Sequence, residues 1–300
     1  MRTTRRRFIA IVATATLGGC ARENAITQEQ FLALGTRVQI TLLGEEKKAE
    51  AALLDCRKEV SAIESAFSLY DPSSMLSRLN RDRSIQTDVR FSTLLRHALY
   101  MAEITNGAFD PTVQPLWQAY ANGTSIEQAR QLINWRELIL TPQTAHFERE
   151  GMAASFNGIA QGFAADLVSH KLAEHNFTNT LVDLGEFSAS GTKMAKPWLL
   201  GIHNPVDDRI AAQIEVTNNA VATSEPQATL IGGRSHIFDP LEQDGERWVS
   251  VTVEARKGWR ADALSTAIAA SPIDRTEKLL ADGEASRAWL IDASGVLHEI

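Results

Sequence analysis

The stretch Phe156-Asn157-Gly158-Ile159-Ala160-Gln161-Gly162-Phe163-Ala164-Ala165-Asp166 constrains this chain more than any other. Two glycines allow a close backbone turn, and apolar residues then recur with helical spacing at Phe163, Ala164, Leu167, Val168 and Leu172. The spacing predicts a tight loop feeding the N-terminus of a helix that runs through Leu172. Such a terminus offers N–H groups and the positive end of the helix dipole, which suits a phosphate. The same pattern also serves as a turn with close packing, so taken alone it leaves both readings open.

A chain of 300 residues can bury a substantial core in one large domain or two intimate ones. Its net charge of -7 argues against a nucleic-acid partner, which calls for a basic surface. No stretch after the N-terminal segment reaches the ~18 apolar residues of a membrane-spanning helix.

The N-terminus reads as a targeting segment and is set aside from the fold. Thr4-Arg5-Arg6-Arg7-Phe8-Ile9 is a twin-arginine signature, followed by an apolar run over residues 9–17. Leu17-Gly18-Gly19-Cys20 resembles a lipoprotein processing box, with Cys20 as the acylated new terminus. Residues 1–20 are therefore expected to be an export signal, 21–30 a polar tether and 31–300 the folded domain. Cys56 falls on the apolar stripe of a helix and reads as a core residue, which leaves no disulfide framework.

Alternation predicts a strand over 37–42, and apolar periodicity predicts a long helix over 45–67, followed by a break at 68–74. A second helix is expected over 91–104, stopped by Asn106-Gly107. A short helix is expected over 125–133, with short strands at 137–140 and 146–149. Further strands are expected at 180–183, 198–202, 212–216, 220–223, 235–238, 249–254 and 288–292, and helices at 261–270 and 274–280. The grouping predicts an α+β fold with antiparallel sheet.

Asp262 and Thr266 lie at i and i+4 with Ser265 beside them, an oxygen-only set of the kind a hard cation prefers. An alternative is an early-helix aspartate favouring the dipole and a threonine packed in the core. His236 ends a strand beside Asp239-Pro240 and is either a structural imidazole or a base. Tyr70 fits a core position or the face of a planar ligand, and Asp110, beside Pro111, fits turn chemistry or a site.

In their order and separations these stretches resemble the FAD:protein FMN transferases, the ApbE-type flavin transferases. The resemblance spans nearly the whole chain after the signal. It rests on Leu34-Gly35-Thr36, residues 67–80, 107–116, 158–166 and 181–185, Val221-Ala222-Thr223-Ser224, residues 236–240 and 261–266. It implies two interleaved lobes of antiparallel sheet with flanking helices and a flavin cleft between them. The implied activity moves the FMN half of FAD onto a Ser or Thr hydroxyl of a partner flavoprotein, with Mg²⁺ required and AMP released.

On that resemblance Leu34 would lie beside the flavin and Tyr70 would stack on a ring, while Ala108, Phe109 and Asp110 would line the nucleotide pocket. The carbonyl of Gly158, with Asp262, Ser265 and Thr266, would hold the metal. Gln161 and Ile237 would touch FAD, and His236 would be the base. The sequence departs from the family pattern where Gln161 replaces a lysine and Ser155, in the FAD pocket, replaces an aspartate. Glu186 and Glu225 each stand where glycine is common. These departures, with the export signature, look like the branch linked to nitrous oxide reductase maturation. The expected setting is periplasmic, held to a membrane only through a lipid on Cys20, with the FMN-binding domain of a membrane redox protein as acceptor. A Mg²⁺-dependent FAD pyrophosphatase and a non-catalytic flavin carrier are the competing readings.

Overall fold

A computed structural model describes residues 25–300. The export signature, the processing box with Cys20 and the first residues of the expected tether lie outside the described residues. The rest of that tether is a strand. β1 (Ala25–Ala33) pairs antiparallel with β2 (Thr36–Gly44) along their full length, from Ala25 opposite Gly44 to Ala33 opposite Thr36. Leu34 and Gly35 close the hairpin with φ of 51° and 67°, the left-handed pair that a two-residue turn between twisted strands requires. The polar run Thr27-Gln28-Glu29-Gln30 falls on both faces of this edge strand, half-buried at Thr27 and Glu29, and it hides the strand from a composition-based reading.

α1 (Glu46–Phe67) buries the stripe Ala49, Ala52, Leu53, Cys56, Val60, Ile63 and Phe67. After the break come α2 (Met75–Asp82), capped by the Ser74 hydroxyl, and β3 (Ser84–Gln86). α3 (Val89–Ile104) starts at Asp88, whose carboxylate accepts the Phe91 N–H at 2.7 Å. α4 (Gln114–Asn122) and α5 (Ile126–Arg130) precede β4 (Leu138–Leu140) and β5 (Thr144–Phe147). α6 (Ala160–Glu174) follows the glycine loop as expected.

β6 (Thr180–Asp183), β7 (Phe187–Ser190), β8 (Trp198–Asn204), β9 (Arg209–Val216) and β10 (Ala220–Ser224) then run as consecutive strands. β11 (Leu230–Ile231) and β12 (Arg234–Ser235) form a small hairpin. The strand expected over 235–238 is thus shorter. The Ser235 hydroxyl accepts the Ile237 N–H and turns the chain out of extended geometry. β13 (Ser250–Ala255), α7 (Gly258–Ala270), α8 (Thr276–Asp282), β14 (Arg287–Ile291) and β15 (Leu297–Glu299) complete the chain.

Eight strands form one sheet in the order β1-β2-β6-β7-β10-β13-β14-β15, antiparallel throughout. The main core lies between one face of this sheet and α1, α3, α6 and α7, and includes Ile40, Phe91, Phe163, Val253 and Leu264. The other face is covered by the β8–β9 hairpin, with Trp198, Leu200 and Ile214 packed on Phe187, Trp289 and Ile291. A third cluster joins α4 and α5 to Phe238, beyond β12. The fold is α+β with antiparallel sheet, as the strand pattern predicts. Among the described residues no helix is long and apolar enough to cross a membrane.

Candidate functional site

The site is built on the crossing of α6 and α7. Gly162 and Gly258 face each other so closely that a Cβ on either would lie inside contact distance of the other's carbonyl oxygen. Neither helix is capped by the residue before it, Ile159 or Lys257. Each is capped by the other helix instead. The Gly162 N–H donates to Asp262 Oδ2 at 3.0 Å. In return the Gly258 N–H donates to Asp166 Oδ1 at 2.8 Å and the Trp259 N–H to Asp166 Oδ2 at 3.3 Å. The anion that meets the N-terminal turn of α6 here is therefore the chain's own Asp262. The borrowed cap also explains why α7 starts at Gly258, three residues before the helix expected from sequence.

The crossing brings the expected metal residues together. Asp262 is 3% exposed and Ser265 fully buried. The Ser265 hydroxyl donates to the Asp262 carbonyl at 3.0 Å and lies 2.9 Å from Ser224 Oγ at the end of β10. Ser224 Oγ is also 3.3 Å from Thr266 Oγ1. Gly158 abuts the same threonine, since a Cβ there would sit 2.8 Å from Thr266 Oγ1. Ser224 is an addition, because its sequence position gives no sign that β10 ends against α7. One carboxylate with hydroxyls is an oxygen-only set that fits Mg²⁺, an ion that keeps several waters and takes further oxygens from substrate phosphates. Among the described residues no group of three or more His, Cys, Asp and Glu could hold a metal ion.

The loop before α6 is pinned from three sides. Phe156 and Ile159 are buried in the core. The Asn80 side chain reads the Ala154 backbone twice, donating to its carbonyl at 2.9 Å and accepting its N–H at 2.7 Å. The Ser155 N–H donates to the Pro111 carbonyl at 2.8 Å, joining this loop to the segment around Asp110. Asn80 lies on α2, and nothing in its local sequence marks it as a partner of this loop.

Gln161 lies over the β6–β7 turn, with Nε2 2.7 Å from where a Cβ on Gly185 would be. Gly185 has φ +95° and donates its N–H to Asp183 Oδ1 at 3.0 Å. Burial pushes the Asp183 carboxyl up to about 6, against the opposing pull of Arg37. The Glu186 carboxylate is buried and accepts the Thr223 N–H at 2.8 Å, and Glu225 lies 3.4 Å from His203 Nδ1.

His236 is positioned by the β11–β12 hairpin, whose base returns to Thr229. Its Nδ1 lies 3.1 Å from the Thr229 carbonyl, which only accepts, so Nδ1 is the donor in this contact. Ile237 packs against the main core.

The remaining expected residues lie away from the helix crossing, on other segments. Asp110 is 8% exposed, and its carboxylate accepts from Thr112 N at 2.7 Å, Thr112 Oγ1 at 2.6 Å and Trp135 N at 3.1 Å. It organises its own turn, and burial raises its carboxyl above the usual carboxylate range. The side chains of Ala108 and Phe109 are core. Leu34 is half-buried at the hairpin turn, its N–H donating to Glu64 Oε1 at 3.1 Å, and Tyr70, just past the same end of α1, is 81% exposed.

Fold and site define an α+β chain with a cluster of side-chain oxygens at the crossing of two helices. The chain belongs to the ApbE family, whose profile matches residues 34–290. Curated relatives named FAD:protein FMN transferase include one from Haemophilus influenzae, 24% identical over 87% of this chain and 85% of its own length. Another, from Treponema pallidum, is 27% identical over 83% of this chain and 80% of its own. Among solved structures, the flavin transferase ApbE from Vibrio cholerae superposes with a TM-score of 0.82 at 22% identity, covering 92% of this chain and 97% of that one. The ApbE protein from Thermotoga maritima gives 0.81 at 24% identity, covering 91% and 96%.

Proposed function

We propose that this protein is an FAD:protein FMN transferase. It breaks the P–O–P bond of FAD and forms a phosphoester between the FMN phosphorus and a Ser or Thr hydroxyl of an acceptor protein, with AMP leaving. The observation that carries the reading is the convergence of Gly158, Asp262, Ser265 and Thr266 at the α6–α7 crossing, within a chain matched to the family over residues 34–290.

The Gly158 carbonyl, Asp262, Ser265 and Thr266 would hold Mg²⁺, which when bound supplies positive charge opposite the pyrophosphate. Gln161 would contact the flavin nucleotide as an uncharged donor. Nε2 of His236 takes the proton of the attacking hydroxyl, a step worth on the order of 10²–10⁴ in rate. Positioning supplies much of the remainder, as in phosphoryl transfer generally. The leader over residues 1–20 supports a periplasmic setting with a lipid on Cys20 and an acceptor in a membrane redox protein.

Acceptor-dependent release of AMP, followed by chromatography, tests the reading. Asp262→Ala should lower the rate by on the order of 10²-fold or more. Wild-type rates in that variant would remove the basis of the reading, and steady FMN release without acceptor would favour the pyrophosphatase instead.

A further inference from the structure

Both helices at the crossing carry the same pattern: Gly162-x-x-x-Asp166 on α6 and Gly258-x-x-x-Asp262 on α7. In each, glycine and aspartate lie one turn apart on one face. Each glycine N–H is bonded by the other helix's aspartate, Gly162 by Asp262 and Gly258 by Asp166. The pair is reciprocal in contacts, yet only Asp262 belongs to the oxygen cluster with Ser265, Thr266 and Ser224.

We propose that Asp166 is a positioning residue for the cation donors of α7, acting through the helix and not by touching the cation. Gly258 and Trp259 open α7, and Lys257 before them supplies no cap. Asp166 therefore fixes where the helix begins and how it is rotated about its axis. Asp262, Ser265 and Thr266 follow one to two turns later, so a shift in that first turn displaces all three together. The contact between Gly162 and Gly258 leaves no room for a Cβ on either residue, so the two helices meet backbone to backbone where Asp166 accepts. Supporting residues of this kind typically change metal affinity by 10- to 100-fold.

The inference rests on the reading that these donors take a divalent cation, and its test separates the two. The full chain is titrated with Mn²⁺ in the presence of FAD, free Mn²⁺ being followed by electron paramagnetic resonance and thermal unfolding measured in parallel. Asp166→Ala removes both accepted hydrogen bonds and should weaken Mn²⁺ binding 10- to 100-fold. Asp166→Asn keeps an oxygen that can accept from Gly258 and should fall between alanine and wild type. The isosteric variant carries the test where the alanine variant does not fold. A lower melting temperature with wild-type Mn²⁺ affinity in both variants would make Asp166 a purely structural cap and overturn the inference. A wild-type chain that binds FAD but no Mn²⁺ overturns the cation reading, and this inference with it.

Discussion

At the scale of single residues, the candidate donors legible in the sequence are those on one helix, where i and i+4 spacing places Asp262 and Thr266 on a common face. Ser224, Asn80 and Asp166 were not legible as site residues, because each acts on a backbone or hydroxyl brought near only by the fold. Asn80→Ala deletes two hydrogen bonds and leaves the Ala154 N–H and carbonyl without them, which should cost about 1–3 kcal/mol by denaturant unfolding. FAD affinity should fall with it, since that loop leads directly into Gly158. His236→Ala should slow transfer by about 10²–10⁴-fold while FAD binding by fluorescence stays near wild type. Asp183 has a folded-state value of about 6, above its unfolded value near 3.9. Its contribution to stability is thus fully present below the unfolded value and is lost as pH rises through about 6. Relative to wild type, Asp183→Asn should gain stability between pH 4.5 and pH 7 in urea midpoints, and an unchanged difference would contradict the assignment.

Elements with strong apolar periodicity, such as α1, α3 and α6, were readable from the chain alone, as were most strands of the large sheet. The start of α7 was hidden for a physical reason. A glycine after a lysine reads as a helix stop, and its cap is supplied from 92 residues away by Asp166. β1 was hidden because its inner face is only half-buried and carries polar Thr27 and Glu29 beside Phe31, so residue polarity does not follow the alternation in burial. α2 and α4 are short and flanked by turn residues, so local pattern underdetermines them. Gly258→Ala places a methyl against the Gly162 carbonyl and should destabilise the chain by about 3 kcal/mol or more, read as a lowered denaturation midpoint. The same variant should lose Mn²⁺ binding more steeply than stability, because α7 can yield only by moving its donors.

On the scale of the whole molecule, the sheet runs from β1 at one edge to β15 at the other, with the helices and their donors on one face and the β8–β9 hairpin on the opposite face. β1 closes the edge of β2, whose Val38, Ile40 and Leu42 are fully buried. A chain beginning at Thr36 should therefore lose stability and aggregate on heating, whereas one beginning at residue 25 should behave as the full domain, as light scattering during a thermal ramp would show.

The central claim is transfer itself, and intact mass of the acceptor reads it most directly. The protein would be incubated with FAD, Mg²⁺ and a periplasmic FMN-binding domain bearing a Ser or Thr acceptor. We predict a gain on the acceptor equal to one FMN less one water, absent when EDTA is present from the start and restored by Mg²⁺ in excess. An acceptor of unchanged mass, with FAD bound to the protein and intact, would contradict the transferase reading and leave a flavin carrier in its place.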